Sequence, residues 1–211
     1  MATKDPARPW HSGPTVLADI RDLAGPAEAP HTIRFSGEMT ATFELLRRSS
    51  YPGGHSMERG GTIVADEKGV LSLQNIGGHA SSSSAFYPSY DLKDPRGYSL
   101  VGVFHTHPYD RSELSMNGVS FSGGDIGALS VDPVILAVVQ SGPRLFAFVK
   151  TALTPKDIDP EAEHAAVNAE LEARVRAGKP FQQGSRIIAQ QRAERYHLAY
   201  YQGANGVLDR V

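Results

Sequence analysis

Apolar positions along this chain follow two spacings. Short apolar runs at Ser99-Leu100-Val101-Gly102-Val103-Phe104, Pro133 to Gln140 and Leu145 to Val149 are rich in strand formers and predict buried strands. Met39, Phe43 and Leu46 share one face of a helical stretch from Glu38 to Arg48, after a strand at Thr32 to Phe35. Tyr51-Pro52-Gly53-Gly54 then makes a turn. Glu58-Arg59-Gly60-Gly61-Thr62-Ile63-Val64 reads as a strand, reversing at Asp66-Glu67-Lys68-Gly69 into Val70 to Leu73. Asn75 to Ala85, rich in glycine and serine, reads as a solvated connection or a substrate-binding loop. Asp159-Pro160-Glu161 opens a helix to about Ala177, with Gly178 and Pro180 as stop signals. A second helix is expected from about Gly184 to Tyr200, with Arg192, Glu194 and Arg195 on a solvated face. Gly203 to Leu208 reads as a turn and short strand.

These elements divide the chain in three. Residues 1–30 hold five prolines and read as an extended lead-in. Within it, Val16 to Leu23 has apolar residues at helical spacing and is expected to dock on the domain or on a partner. Residues 31–152 form the core, and 153–211 a C-terminal helical extension packed on it. Helices and strands are mixed, so the class is α/β (α+β), a mixed β-sheet flanked by helices.

Composition narrows the function more than the fold. At 211 residues the chain is long enough for one domain with a sizeable core. A formal net charge of −2 gives no reason to expect nucleic acid as a partner. No apolar run approaches the ~18 residues of a membrane span. The polar start Met1-Ala2-Thr3-Lys4-Asp5-Pro6 lacks the apolar segment of a signal peptide, so a cytoplasmic location is expected, with non-classical export open. With no cysteine, any zinc site must use histidine and carboxylate.

His105-Thr106-His107-Pro108 supplies such a set. The apolar run enters His105 as a strand, and strand side chains alternate faces, so His105 and His107 point one way and Thr106 the other. Pro108 cannot donate to a ladder and ends the strand. Downstream, Ser122-Gly123-Gly124-Asp125 looks like a helix start, with serine as N-cap and the acid three positions later. Asp125 is a candidate third ligand. Catalytic zinc commonly keeps three protein ligands and one open position.

His105-Thr106-His107-Pro108 with Ser122-x-x-Asp125 resembles the JAMM motif of the JAB/MPN metalloproteases, in which a glutamate precedes His-Ser/Thr-His-Pro and Ser-x-x-Asp. The resemblance covers the middle of the chain. It implies a cytidine-deaminase-like core in which His105, His107 and Asp125 bind Zn2+, Ser122 stabilises an oxyanion and an upstream glutamate is general acid/base. Glu58 fits that role best, at the start of a strand and before Gly60 and Gly61, which let the backbone pass close to metal or substrate. Glu67 sits in a polar turn, and Glu44 lies on the first helix. His79, alone in its loop, is a weaker candidate to approach the metal. The gap between His107 and Asp125 is longer than usual in the family, and its polar stretch Arg111 to Gly118 is expected to form a loop over the site. Glu58-x-Gly60-Gly61 and Phe121-Ser122-x-x-Asp125 also resemble JAB-like domains of bacterial polymorphic toxins.

The resemblance therefore implies a zinc metalloprotease or isopeptidase acting on a peptide or protein, with a ubiquitin-like protein or an effector polypeptide among the candidate substrates. Two other readings stand beside it: a non-catalytic binding module on the same fold, and a secreted effector or toxin using the same chemistry.

Overall fold

The computed structural model describes residues 17–92, 97–109 and 116–211. Within them runs an eight-stranded sheet in the order β1 (Thr32–Arg34), β10 (Val207–Arg210), β9 (Ala199–Ala204), β8 (Arg144–Val149), β7 (Leu136–Ser141), β6 (Tyr98–Thr106), β2 (Gly60–Asp66), β3 (Leu71–Gln74). All neighbours are antiparallel except β6 and β7, which are parallel. The observed class is thus mixed α+β with a mostly antiparallel sheet flanked by helices.

The unbroken apolar runs have a simple cause: both faces of the sheet are covered. In β7, Leu136 and Val138 face one core while Ala137 and Val139 face the other. In β8, Leu145, Ala147 and Val149 join the first, and Phe146 and Phe148 the second. The first core is closed by α1 (Gly37–Ser49), whose buried residues are Met39, Phe43 and Leu46, as the spacing predicts. Leu17, Ile20 and Leu23 add to this core, so the described part of the lead-in docks on the domain. It does so through short 3-10 turns rather than a regular helix. The second face is covered by α2 (Gly123–Gly127) and α4 (Phe181–Arg195), with α3 (Pro160–Arg176) packed over both helices.

A parallel strand pair needs a crossover of a dozen residues or more. The chain leaving β6 at Thr106 must return to Leu136, and this connection carries α2 along the second face. That path brings Ser122 and Asp125 back to the end of β6. Part of the polar stretch expected to overlie the site, Arg111 to Ser115, falls outside the described residues, as do residues 1–16 of the lead-in.

Three expectations need correction. The Gly/Ser-rich stretch is not wholly loop: β4 (Ala80–Ser81) pairs with β5 (Phe86–Tyr87). The last helix stops at Arg195, not Tyr200. His197 takes a left-handed φ of 54°, and Tyr200 and Tyr201 are buried in β9, where sheet pairing and aromatic packing outweigh helical spacing. The C-terminal region accordingly supplies two sheet strands as well as two helices. Finally, Arg192 is not on a solvated face. It is 8% exposed because α3 lies across α4, and it donates to Glu163 and Glu170 of that helix. Tyr196 Oη donates to the other Glu163 oxygen at 2.5 Å. Among the described residues, no helix is long and apolar enough to cross a membrane.

Candidate metal centre

Strand alternation puts His105 on the same face as Val103, toward α2 and α3, and Thr106 on the opposite face. The Thr106 hydroxyl meets Ser50 Oγ at 2.8 Å and accepts from the Arg59 N–H at 2.9 Å, which locks the end of β6 to the end of α1. The strand ends at Thr106, yet the His107 N–H still donates to the Gln140 carbonyl at 2.7 Å. His107 thus keeps the strand geometry for one more residue and shares a face with His105. Their Nε2 atoms stand 3.2 Å apart.

Asp125 arrives from α2. Ser122 is its N-cap, and a reciprocal capping box forms: Ser122 Oγ accepts from the Asp125 N–H at 3.3 Å, and Asp125 Oδ2 accepts from the Ser122 N–H at 2.6 Å. The box aims the carboxylate at the histidines. Asp125 Oδ1 is 3.0 Å from His105 Nε2, and Oδ2 is 3.5 Å from His107 Nε2.

These spacings suit a cation. Four-coordinate zinc with ligands at ~2.0–2.1 Å places neighbouring ligand atoms about 3.3 Å apart. Here the two imidazole nitrogens stand 3.2 Å apart and each meets a different Asp125 oxygen, at 3.0 and 3.5 Å, and one ligand atom from each of the three residues lies within 4.8 Å of the others. His107 Nδ1 faces the Val119 carbonyl at 3.4 Å, and donation there puts the proton on Nδ1 and leaves the Nε2 lone pair toward the shared point. The His105–His107–Asp125 group can therefore hold a metal ion. Burial works against the Asp125 charge, but the two imidazoles outweigh it and hold the carboxyl well below its usual range.

Glu58 lies two residues before β2, with its N–H donating to the Ser82 carbonyl at 2.7 Å. It is only 4% exposed and lines the same cavity as the three candidate ligands. Burial pushes its carboxyl up from 4.5 to about 7; His107 opposes the shift and the Asp125 charge adds to it. The rival glutamates stand elsewhere. Glu44 is ion-paired with Arg47 and Arg48, and Glu67 is exposed in its turn. His79 is not in the candidate ligand group.

Two residues that the sequence reading passed over shape the site. The Phe86 ring, carried by β5, lies nearly parallel to the His105 imidazole, with centroids 6.3 Å apart. Gly60 makes room for it: a Cβ there would stand 2.2 Å from the Phe104 carbonyl oxygen, 2.7 Å from the Phe86 ring and 2.9 Å from His105 Cβ. Tyr109 also lines the cavity, its ring centroid 5.9 Å from that of His107. Burial lifts its phenol to about 12, with the Glu58 and Asp125 charges adding to the shift. A Phe within a serine-rich stretch carries no sequence signal for this role, though Tyr109 directly after His107-Pro108 was a visible neighbour. No family model, curated protein or solved structure matches the chain.

Proposed function

We propose that this chain is a zinc-dependent hydrolase of peptide or isopeptide bonds, of the JAB/MPN type that its motif resembles. The observation that carries the reading is the convergence of His105, His107, Asp125 and a buried carboxylic acid, Glu58, on one cavity. The two-histidine, one-carboxylate donor set in a cysteine-free chain favours Zn2+. When bound, Zn2+ supplies a Lewis acid that polarises a carbonyl and lowers the pKa of water from ~15.7 toward neutrality.

The chain's own groups do the proton work. Glu58 takes a proton from the attacking water on its carboxylate as the new C–O bond forms. It then delivers that proton to the amide nitrogen as the C–N bond breaks. Burial favours the protonated form of Glu58 and so makes its carboxylate a stronger base toward water, against the pull of a bound cation toward the charged form. Ser122 Oγ accepts from the Asp125 N–H, which leaves its hydroxyl proton to donate to the developing oxyanion. Such a donor is worth on the order of 3 kcal/mol.

The test pairs metal content with turnover. The purified chain should carry about one zinc. It should cleave members of a quenched-fluorescent peptide library and lose that activity to a chelator. Glu58→Gln should keep the zinc and abolish turnover. A chain that takes up no zinc, or a Glu58→Gln variant with full activity, overturns the proposal.

A further inference from the structure

The cavity does not stop at the metal ligands. It encloses about 670 Å³ and continues from Glu58, His105 and Asp125 to the facing surfaces of α3 and α4. On α3, past Pro160 at its start, the lining residues are His164, Val167, Asn168 and Leu171. Their spacing of i, i+3, i+4, i+7 makes one stripe along a helix face. The stripe changes character along its length. Its first turn is polar, with Asn168 Nδ2 and His164 Nε2 at 2.9 Å. Its far end is apolar: Val167 and Leu171 are nearly closed off from solvent, and the half-buried Phe181 at the start of α4 packs on them.

The polar end meets the reaction site. Donation from the Asn168 amide makes His164 Nε2 the acceptor, so the imidazole proton sits on Nδ1. A single point over the Gly124 Cα, where a Cβ would stand, is 3.7 Å from Ser122 Oγ and 4.0 Å from His164 Nδ1. Gly124 has no side chain, so this space is left to a substrate. Two donors therefore flank it, one from α2 and one from α3.

We infer that the α3–α4 pair is the specificity wall of the cleft and selects peptides with an apolar side chain about three residues from the scissile bond. The spacing follows from helix geometry. His164 to Leu171 is seven residues, about 10 Å of helix rise, which an extended peptide covers in about three residues at ~3.3 Å each. The acidic residues of α3 that meet α4 are already committed: Glu163 to Arg192 and Tyr196, and Glu170 to Arg174 and Arg192. A lysine or aspartate of the substrate placed against Val167, Leu171 and Phe181 would lose water and find no charged partner among the described lining residues there; the nearby Ser185 hydroxyl already accepts from the Ser120 N–H. The inference rests on the hydrolase reading for the peptide that threads the cleft.

Phe181→Asp is the informative variant. Phe181 is the first residue of α4 and no side chain caps that end, so an acid there suits the helix and the variant should fold. The zinc-loaded chain is assayed for kcat/KM on peptides varied at each position around the cleaved bond. The same peptides are titrated onto zinc-loaded Glu58→Gln, with and without Phe181→Asp, by fluorescence anisotropy, which needs no turnover. Leucine or phenylalanine should exceed aspartate and lysine by about tenfold or more at one position two to four residues from the bond. Phe181→Asp should erase that preference there and favour lysine, with preferences elsewhere unchanged. Apolar-selective binding sensitive to Phe181→Asp but without hydrolysis upholds the wall and removes the hydrolase. Cleavage with no apolar preference, or with one that survives Phe181→Asp, removes the wall and keeps the hydrolase. Absence of both binding and cleavage removes both.

Discussion

Glu58→Gln in the metal-free chain isolates the energetic cost of burying an acid beside Asp125. The carboxyl is 4% exposed, and its pKa stands at about 7 against 4.5 for an ordinary glutamate. A folded-state pKa raised in this way stabilises the fold fully below about 4.5, and the contribution is lost as pH climbs through about 7. The gap between 4.5 and about 7, at about 1.36 kcal/mol per pH unit, amounts to about 3 kcal/mol. Glutamine keeps the shape and does not titrate. The variant should therefore gain on the wild type by about 3 kcal/mol as the pH goes from about 4 to about 8.5. Urea unfolding of both proteins in chelator reads the gain as a midpoint shift of about 1 M or more, at the usual slopes of ~1–3 kcal/mol/M. Asp125 does not confuse the result, because its carboxyl is held well below its usual range and titrates under this window. Adding Zn2+ should shrink the gap, since a nearby cation favours the charged carboxylate. A stability difference that stays flat across the window would refute the placement of Glu58 as a buried, destabilised acid.

Three further outcomes follow from the packing around the site. Thr106→Val should cost about 1–3 kcal/mol in denaturant unfolding, because it removes the acceptor of the part-buried Arg59 N–H and leaves the Ser50 hydroxyl with only the Leu46 carbonyl. It should leave zinc affinity within a few-fold, since Thr106 faces away from the ligands. Gly60→Ala drives a Cβ into the Phe104 carbonyl, the Phe86 ring and His105, so it should destabilise by at least about 1–3 kcal/mol. Competition titration should show zinc binding weakened by about 10–100-fold, as for a disturbed outer shell. Arg192→Ala should cost about 3 kcal/mol or more, seen as a lowered melting temperature, because it leaves the buried Glu163 carboxylate with Tyr196 as its remaining donor among these partners.

Much of this site was legible before any fold was known, because its geometry is local. Period-two alternation puts His105 and His107 on one face whatever surrounds the strand, and the Ser122–Asp125 capping box depends on four consecutive residues. Runs such as Leu145 to Val149 were apolar at every position because both sheet faces are covered. The misplaced end of α4 and the misassigned Arg192 share a different origin. Helical spacing through Tyr200 was equally compatible with a longer helix, and a run of charges normally faces water. What decided otherwise was the sheet claiming Tyr200 and α3 covering Arg192.

The sequence by itself therefore determined which side chains carry ligand chemistry, which face of their strand they share and which serine caps the helix that presents the aspartate. These follow from the repeat of the strand and from the hydrogen-bonding needs of a helix start. Only the tertiary structure decided that Asp125 meets the two histidines at 3.0 and 3.5 Å and that Phe86 stands against His105. It also decided that Glu58 is dry enough to hold its proton near pH 7 and that α3 and α4 wall the cavity. Each of these depends on segments far apart in the chain and on the exclusion of water between them, and neither separation nor solvation is written in local spacing.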